Sequence, residues 1–203
     1  MRFATLALLL PMAAAAQTAP VPEEIGSWRL LCAQDRMTDR ADCQMRHREP
    51  VEPARGTGSS LALEVVNREG RLVPAVVARD LGLENAQRGL LALTGTAQLR
   101  FPPNRHFDMP CGIEGRSLVC APASADVPRA AEELAQGRTA LVRVTGMGTG
   151  PASPEPVELR LDRTADALAR LRARAPEGGA APAPAPGLTL MDMVLRLQRL
   201  FGQ

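Results

Sequence analysis

The chain has 203 residues, which is enough for one domain of ordinary size with an appendage. Its 24 basic residues, all of them Arg, nearly balance 22 acidic residues, and this argues against a nucleic-acid binder with a basic stripe. Only one Trp and four Phe are present, so a surface that stacks bases or sugars is not expected.

The N-terminal residues 1–16 have the pattern of a secretory signal peptide. Arg2 supplies a positive start, residues 5–10 form an apolar run, and the small residues 14–16 form a cleavage site. Because the apolar run is too short to span a bilayer, we expect a mature chain in the periplasm of a Gram-negative bacterium or secreted beyond it. Residues 17–24 predict a loose mature N-terminus.

The four cysteines indicate disulfide bonds if the chain is exported. Four cysteines allow three pairings, and their spacing favours Cys32 with Cys43 and Cys111 with Cys120. Each bond would close a loop of about ten residues. The tighter spacing of a zinc site and the C-x-x-C pair of a redox site are both missing, so we expect no metal and no cofactor.

Residues 25–174 predict one mainly β domain, an antiparallel sandwich or barrel with two short helices. The predicted strands combine period-two alternation or β-rich composition with flanking turn residues. They are residues 25–33, 43–48, 60–67, 72–78, 90–93, 97–101, 106–111, 117–121, 139–145 and 157–161. Pro74 indicates an edge position or a bulge in its strand.

Two helices are expected in the second half of the domain. The first is capped by Ser124 or Asp126 and ends at Gly137, and the second covers residues 164–174. Trp28 is expected to fill the core beside the first disulfide, since large aromatic residues near cystines in β-sandwiches are usually interior.

Several short motifs follow one another along the chain, and their order and spacing identify a family. They are Trp28-x-x-x-Cys32, Asp42-Cys43-Gln44-Met45, the pair Cys111 and Cys120, residues 134–140, residues 157–161 and Ala165-x-Ala167-Leu168. Over residues 25–172 the chain resembles the invasion-associated locus B family of exported bacterial proteins. The resemblance implies an all-β domain of the periplasm or outer envelope, without established catalytic residues.

The C-terminal part consists of two segments that differ in composition. Residues 175–187 are rich in Pro, Ala and Gly and predict an extended polyproline linker. Residues 188–203 predict an amphipathic helix, which Thr189 can cap. Its wide apolar face must be covered by the chain's own domain, a second copy, a partner protein or, weakly, a membrane surface.

We expect this helix to capture an envelope or host protein, or a second copy of the chain. The expected contact residues are Met191, Val194, Leu195, Leu197, Leu200 and Phe201.

The leading hypothesis is therefore a non-enzymatic envelope protein that binds another protein. One alternative is a small periplasmic hydrolase that uses His106 and Asp108, and another is a structural subunit of an envelope assembly. The glycine-rich residues 146–150 resemble a phosphate-binding loop, but Pro151 and Pro154 follow where a helix would have to begin, so an interstrand loop is expected.

Overall fold

The structure is a computed structural model that describes residues 21–54, 59–81, 95–145 and 155–175. In these ranges it contains ten strands and two α-helices, which confirms the predicted mainly β, antiparallel class. The strands are β1 Glu23–Ile25, β2 Trp28–Gln34, β3 Ala41–Glu52, β4 Leu61–Arg68, β5 Arg71–Ala78, β6 Thr96–Arg100, β7 Phe107–Glu114, β8 Ser117–Cys120, β9 Thr139–Thr145 and β10 Val157–Arg160. The helices are α1 Val127–Gln136 and α2 Thr164–Arg174.

Some predictions lie outside the described residues. They are the signal peptide 1–16, the strand 90–93, the loop 146–150, nearly all of the linker 175–187 and the helix 188–203. The exception is Ala175, which was predicted to begin the linker. It is buried and donates its backbone N–H to the Leu171 carbonyl, so it belongs to the end of α2.

The ten strands form one open sheet in the order β1-β2-β3-β4-β5-β8-β7-β6-β9-β10. Strand β7 belongs to both halves of this sheet, because residues 107–110 pair with β6 whereas residues 111–114 pair with β8. Pro74 pairs with Val65 in the half of β5 to which β8 does not extend. This agrees with the edge position predicted for it, since proline cannot donate to a strand on its second side.

The core lies between the inner faces of the two halves of the sheet and the two helices. Helix α2 lies against β1, β2, β3 and α1, and α1 lies against β5. Alternation along the strands and the helical period place the large apolar side chains inward. The largest of those that are fully buried are Trp28, Met45, Leu63, Leu99, Phe101, Phe107, Met109, Leu134, Leu159 and Leu168.

Both predicted helices are confirmed. Helix α1 follows a short 3-10 turn, Ser124–Asp126, and is succeeded by Gly137. Asp126 occupies the N-cap position, but its side chain makes no capping hydrogen bond and accepts from Arg129 instead. None of the helices in the described ranges is long and apolar enough to cross a membrane.

The prediction that residues 17–24 are loose was wrong for Glu23 and Glu24. These two residues pair with Leu30 and Arg29 of β2, and the Glu23 carboxylate accepts from Arg170 Nε of α2 at 3.0 Å. The predicted strand 25–33 is also interrupted, because a turn at Gly26 separates β1 from β2. The contact between Glu23 and helix α2 holds this segment in place. Because α2 comes late in the chain, the local composition of residues 17–24 cannot predict that contact.

Gly26 is the residue that makes this turn possible. Its φ is 58°, a conformation that glycine adopts without steric cost, and a Cβ atom there would collide with the Asp162 carbonyl oxygen. We expect Gly26→Ala to lower the free energy of unfolding by about 2–4 kcal/mol, measured by urea denaturation of the oxidised chain.

Gly70→Ala is the matched control for this substitution. Gly70 has φ 78°, but a Cβ atom there would meet nothing within 4 Å, so only the backbone strain of about 1 kcal/mol is expected. Equal losses of stability in the two variants would show that contact with Asp162 is unimportant.

Both predicted disulfides are confirmed. Cys32 and Cys43 face each other across β2 and β3, and Cys111 and Cys120 face each other across β7 and β8, with Cα–Cα distances of 4.0 and 3.9 Å. Each bond links neighbouring strands and closes a short loop, which limits the freedom of the unfolded chain and is worth about 2–3 kcal/mol.

The polar turn between β2 and β3 is organised by Asp35. Its carboxylate accepts the backbone N–H of Met37 at 2.8 Å, and its own N–H donates to the Arg40 carbonyl. The hydrogen bond from Met37 lowers the pKa of Asp35, with a smaller contribution from the side chain of Thr38. The carboxylate therefore stays ionised, and holds the turn, at pH values below its ordinary pKa.

Candidate functional site

A buried polar cluster connects β2 and β3 with the end of β10. Trp28 Nε1 donates to Thr164 Oγ1 at 3.0 Å, and this hydroxyl donates to the Leu161 carbonyl at 3.3 Å. The His47 ring packs edge-on against the Trp28 indole with 5.5 Å between centroids. Its Nε2 lies 2.8 Å from the Arg160 carbonyl oxygen, so this nitrogen carries the hydrogen.

This cluster is structural. The side chains of Trp28, His47 and Thr164 are almost completely buried, so a ligand has no access to them. Strands β3 and β10 do not pair, and the cluster holds them together by side-chain contacts instead. The prediction that Trp28 fills the core is confirmed.

The His106 and Asp108 pair proposed for a hydrolase lies on the surface beside β7. His106 Nε2 is 3.8 Å from Asp108 Oδ1, and the side chains are 55% and 66% exposed. Gln98 Nε2 donates to the same carboxylate at 2.9 Å. Neither member of the pair lines the groove described next, and no Ser, Thr or Cys hydroxyl or thiol is hydrogen-bonded to His106 in the part of the chain that the structure describes.

The described surface contains an open groove with a volume of about 590 Å³. Three parts of the fold line it: the turn after β6, the C-terminal end of α1 with the residues that follow, and the outer face of β9 and β10. We call it the α1–β9 groove. Its lining residues are Phe101, Pro102, Pro103, Asn104, Glu133, Gln136, Gly137, Arg138, Thr139, Leu141 and Glu158.

The turn after β6 forms one wall of the α1–β9 groove. The Asn104 N–H donates to the Phe101 carbonyl at 2.9 Å, and the peptide bond between Pro102 and Pro103 is cis. Arg100 holds the turn from the outer face of β6, because its Nε donates to the Asn104 carbonyl at 2.7 Å. The shape of this wall is therefore set by hydrogen bonds within the turn.

Gly137 allows the end of α1 to approach the turn. A Cβ atom at this position would lie 2.9 Å from both the Glu133 carbonyl oxygen and the Phe101 ring. These distances are too short for a side chain in a packed interior, so a glycine is needed where the helix passes into β9.

Arg129 fixes the helix that carries the second wall. Its guanidinium lies over the Phe107 ring, 3.7 Å from the centroid, and pairs with Asp126 and Glu133 at 3.0 and 3.3 Å. It also donates to the carbonyls of Arg105 and His106 at 3.2 and 3.5 Å. This network holds the side chain of Glu133, a lining residue of the groove, against Arg129.

The charged groups of the groove are incompletely paired. The Glu133 side chain is 11% exposed, and its Oε2 and the Nε of its ion-pair partner Arg129 are both buried without a hydrogen-bond partner. Arg138 and Glu158 are exposed lining residues, and neither forms an ion pair with any other residue in the described ranges. Together with the apolar lining, these groups can bind a ligand that offers both polar and apolar contacts.

Sequence reasoning missed this groove, although one signal for it was present. Residues 134–140, quoted above for the family resemblance, contain four consecutive lining residues. They are Gln136, Gly137, Arg138 and Thr139. The six contact residues predicted in the helix 188–203 lie outside the described residues, so the structure does not test them.

No group of three or more His, Cys, Asp or Glu side chains is placed to hold a metal ion within residues 21–54, 59–81, 95–145 and 155–175. All four cysteines are engaged in the two disulfides.

These features define a disulfide-linked, mainly β domain with two helices and an open surface groove. No protein-family model matches the chain, and no curated protein matches it. Among solved structures, it is similar to the crystal structure of invasion associated protein B from Bartonella henselae, with 16% sequence identity and a TM-score of 0.45. This match covers 75% of the present chain and 96% of the other.

Proposed function

We propose that the chain is an exported, non-enzymatic envelope protein of the invasion-associated locus B type, which acts as a protein-binding or accessory module. Its compartment would be the periplasm of a Gram-negative bacterium or the space beyond it. The two disulfides support export, because such bonds form and persist in oxidising compartments. The signal-peptide pattern of residues 1–16 supports the same compartment.

The observation that carries the binding role is the α1–β9 groove. It combines apolar side chains with the exposed charges of Arg138 and Glu158, which form no ion pair with other described residues, as a recognition surface does. By contrast, the exposed His106 and Asp108 side chains do not line this groove, and no hydroxyl or thiol of the described residues is hydrogen-bonded to His106. The described part of the domain therefore supports a binding role better than a hydrolytic role.

The helix predicted for residues 188–203 would add a second contact with the partner. Its apolar residues would bind a hydrophobic groove of that protein, as amphipathic helices do. An extended linker over residues 176–187 would let this helix reach about 40 Å from the domain. The domain and the helix could then hold the same partner at two places.

Deletion of residues 188–203 is expected to abolish partner capture and leave the domain folded. Capture would be measured by cross-linking in an envelope extract with the full oxidised chain and with the truncated chain as baits. Near-UV circular dichroism of Trp28, which is fully buried, reports whether the domain is intact. Light scattering of the two purified chains separates a second copy from a different protein as the partner.

Point variants provide the matched control. Leu197→Asp with Leu200→Asp should reproduce the loss of capture, whereas Arg196→Gln on the polar side of the predicted helix should retain it. Undiminished capture by the truncated chain would refute the role proposed for the helix.

A further inference from the structure

We propose that Met37 is a modification site, at which a two-electron oxidant such as hydrogen peroxide converts the thioether to the sulfoxide. The reaction does not require the proposed binding function. Met37 lies in the turn between β2 and β3 and is 91% exposed. No other large hydrophobic residue in the described ranges is as exposed as this one.

The turn that carries Met37 is held at two points. We call residues 33–42, all of them exposed, the β2–β3 hairpin tip. The disulfide between Cys32 and Cys43 closes its base, and the Asp35 carboxylate accepts the Met37 backbone N–H at 2.8 Å within it. The exposure of the thioether therefore belongs to the folded hairpin and does not depend on local unfolding.

The other oxidisable side chains of the described residues are protected. All four cysteines form disulfides, so no thiol competes for the oxidant. The sequence contains no Tyr, and Trp28 is fully buried. Met45 and Met109 are both 0% exposed, so an oxidant in solution cannot reach their sulfur atoms. Within the described ranges, the fastest oxidation is therefore expected at Met37.

The reaction transfers one oxygen atom from the peroxide to the sulfur of Met37. The sulfur lone pair attacks one peroxide oxygen, an S–O bond forms and the O–O bond breaks. The transferred oxygen gives up its proton to the departing hydroxide, which leaves as water. The sulfur is thereby oxidised by two electrons, and the peroxide is reduced by two.

Oxidation at this position changes the polarity of the β2–β3 hairpin tip and preserves the fold. The sulfoxide is polar, and at an exposed position water solvates it. The hydrogen bond to Asp35 is made by the backbone N–H of Met37, which the reaction does not alter. The same oxidation at Met45 or Met109 would instead place a polar oxygen in the core.

The test is treatment of the full disulfide-bonded chain with hydrogen peroxide, followed by peptide mass mapping of each methionine. We expect Met37 to gain one oxygen at least about tenfold faster than Met45 and Met109, because buried methionines react only when the core opens. In the chain unfolded by urea, the three rates should become similar. A brief treatment that oxidises Met37 should leave the urea denaturation midpoint unchanged.

Two matched variants, scored by the mass of the intact chain, locate the site. Met37→Leu keeps the size of the side chain but has no sulfur, and it should lower the fast uptake by one oxygen atom per chain. Met109→Leu makes the same exchange at a buried position and should leave the fast uptake unchanged.

Equal rates at Met37 and Met109 in the folded chain would overturn the proposal. An equal fall of the fast uptake in Met37→Leu and Met109→Leu would overturn it too. A lower denaturation midpoint after oxidation of Met37 would refute the conclusion that the fold is preserved.

Discussion

Trp28→Ala is expected to lower the free energy of unfolding by about 3–5 kcal/mol. The indole is fully buried, and it connects β2 with α2 through its hydrogen bond to Thr164 and with β3 through its contact with His47. Alanine would leave a large cavity and remove the N–H that donates to the Thr164 hydroxyl, which would keep only its bond to the Leu161 carbonyl. Urea denaturation followed by far-UV circular dichroism measures the change without relying on the lost fluorophore.

Trp28→Phe separates packing from hydrogen bonding. The ring of phenylalanine fills much of the space but has no N–H group, so we expect a loss of about 1–3 kcal/mol. If Trp28→Ala destabilised the chain by less than about 1 kcal/mol, the cluster would not be important for joining β10 to β2 and β3.

Arg79→Ala is expected to cost about 3–5 kcal/mol because it leaves a buried charge without a partner. Glu64 on β4 is only 1% exposed, and its carboxylate accepts from Arg79 Nε at 2.9 Å and from Nη2 at 2.6 Å. The arginine side chain is 34% exposed, so the substitution also removes packing by its methylene groups. The free energy of unfolding from urea denaturation again provides the measurement.

Two further variants show whether the unpaired charge is the cause. Adding Glu64→Gln to Arg79→Ala removes that charge and should restore part of the lost stability. Arg29→Ala breaks the exposed pair with Glu24, in which the side chains are 48% and 46% exposed, and should cost at most about 1 kcal/mol. A double variant no more stable than Arg79→Ala would contradict this explanation.

Much of the fold could be predicted from local patterns. The helix predicted over residues 164–174 and the strand over 139–145 have the observed bounds, and the disulfide pairing followed from spacing. These features depend on residues close together in the chain, where periodicity, turn composition and short loops act directly.

The strand β3 shows where such reasoning ends. Residues 43–48 were predicted, but the strand covers Ala41–Glu52 and continues through Pro50 with register shifts against β4. Proline and the lack of apolar alternation conceal the strand in the sequence. Pairing with β4 accommodates these register shifts, because a β-bulge leaves some residues of the bulged strand without a partner.

The burial of Glu64 was also unpredictable from the sequence. Alternation in the strand predicted over residues 60–67 places Leu61, Leu63 and Val65 on one face, and all three are buried. In the structure β4 is buried on both faces, and the carboxylate is stabilised by Arg79 fifteen positions later. A period-two pattern of apolar residues indicates one buried face of a strand. It does not indicate whether the second face is buried too, or which residue pairs with a charge there.

The local elements, the two disulfides between neighbouring strands and the expectation of export could be inferred from the sequence alone, because each depends on a short stretch of residues. The packing of β10 against β2 and β3, the identity of the buried carboxylate and the position of the groove became apparent in the folded domain. Those features arise from contacts between distant residues, such as Trp28 and Thr164, which are 136 positions apart. Their geometry depends on the packing of the whole domain, which no local pattern encodes.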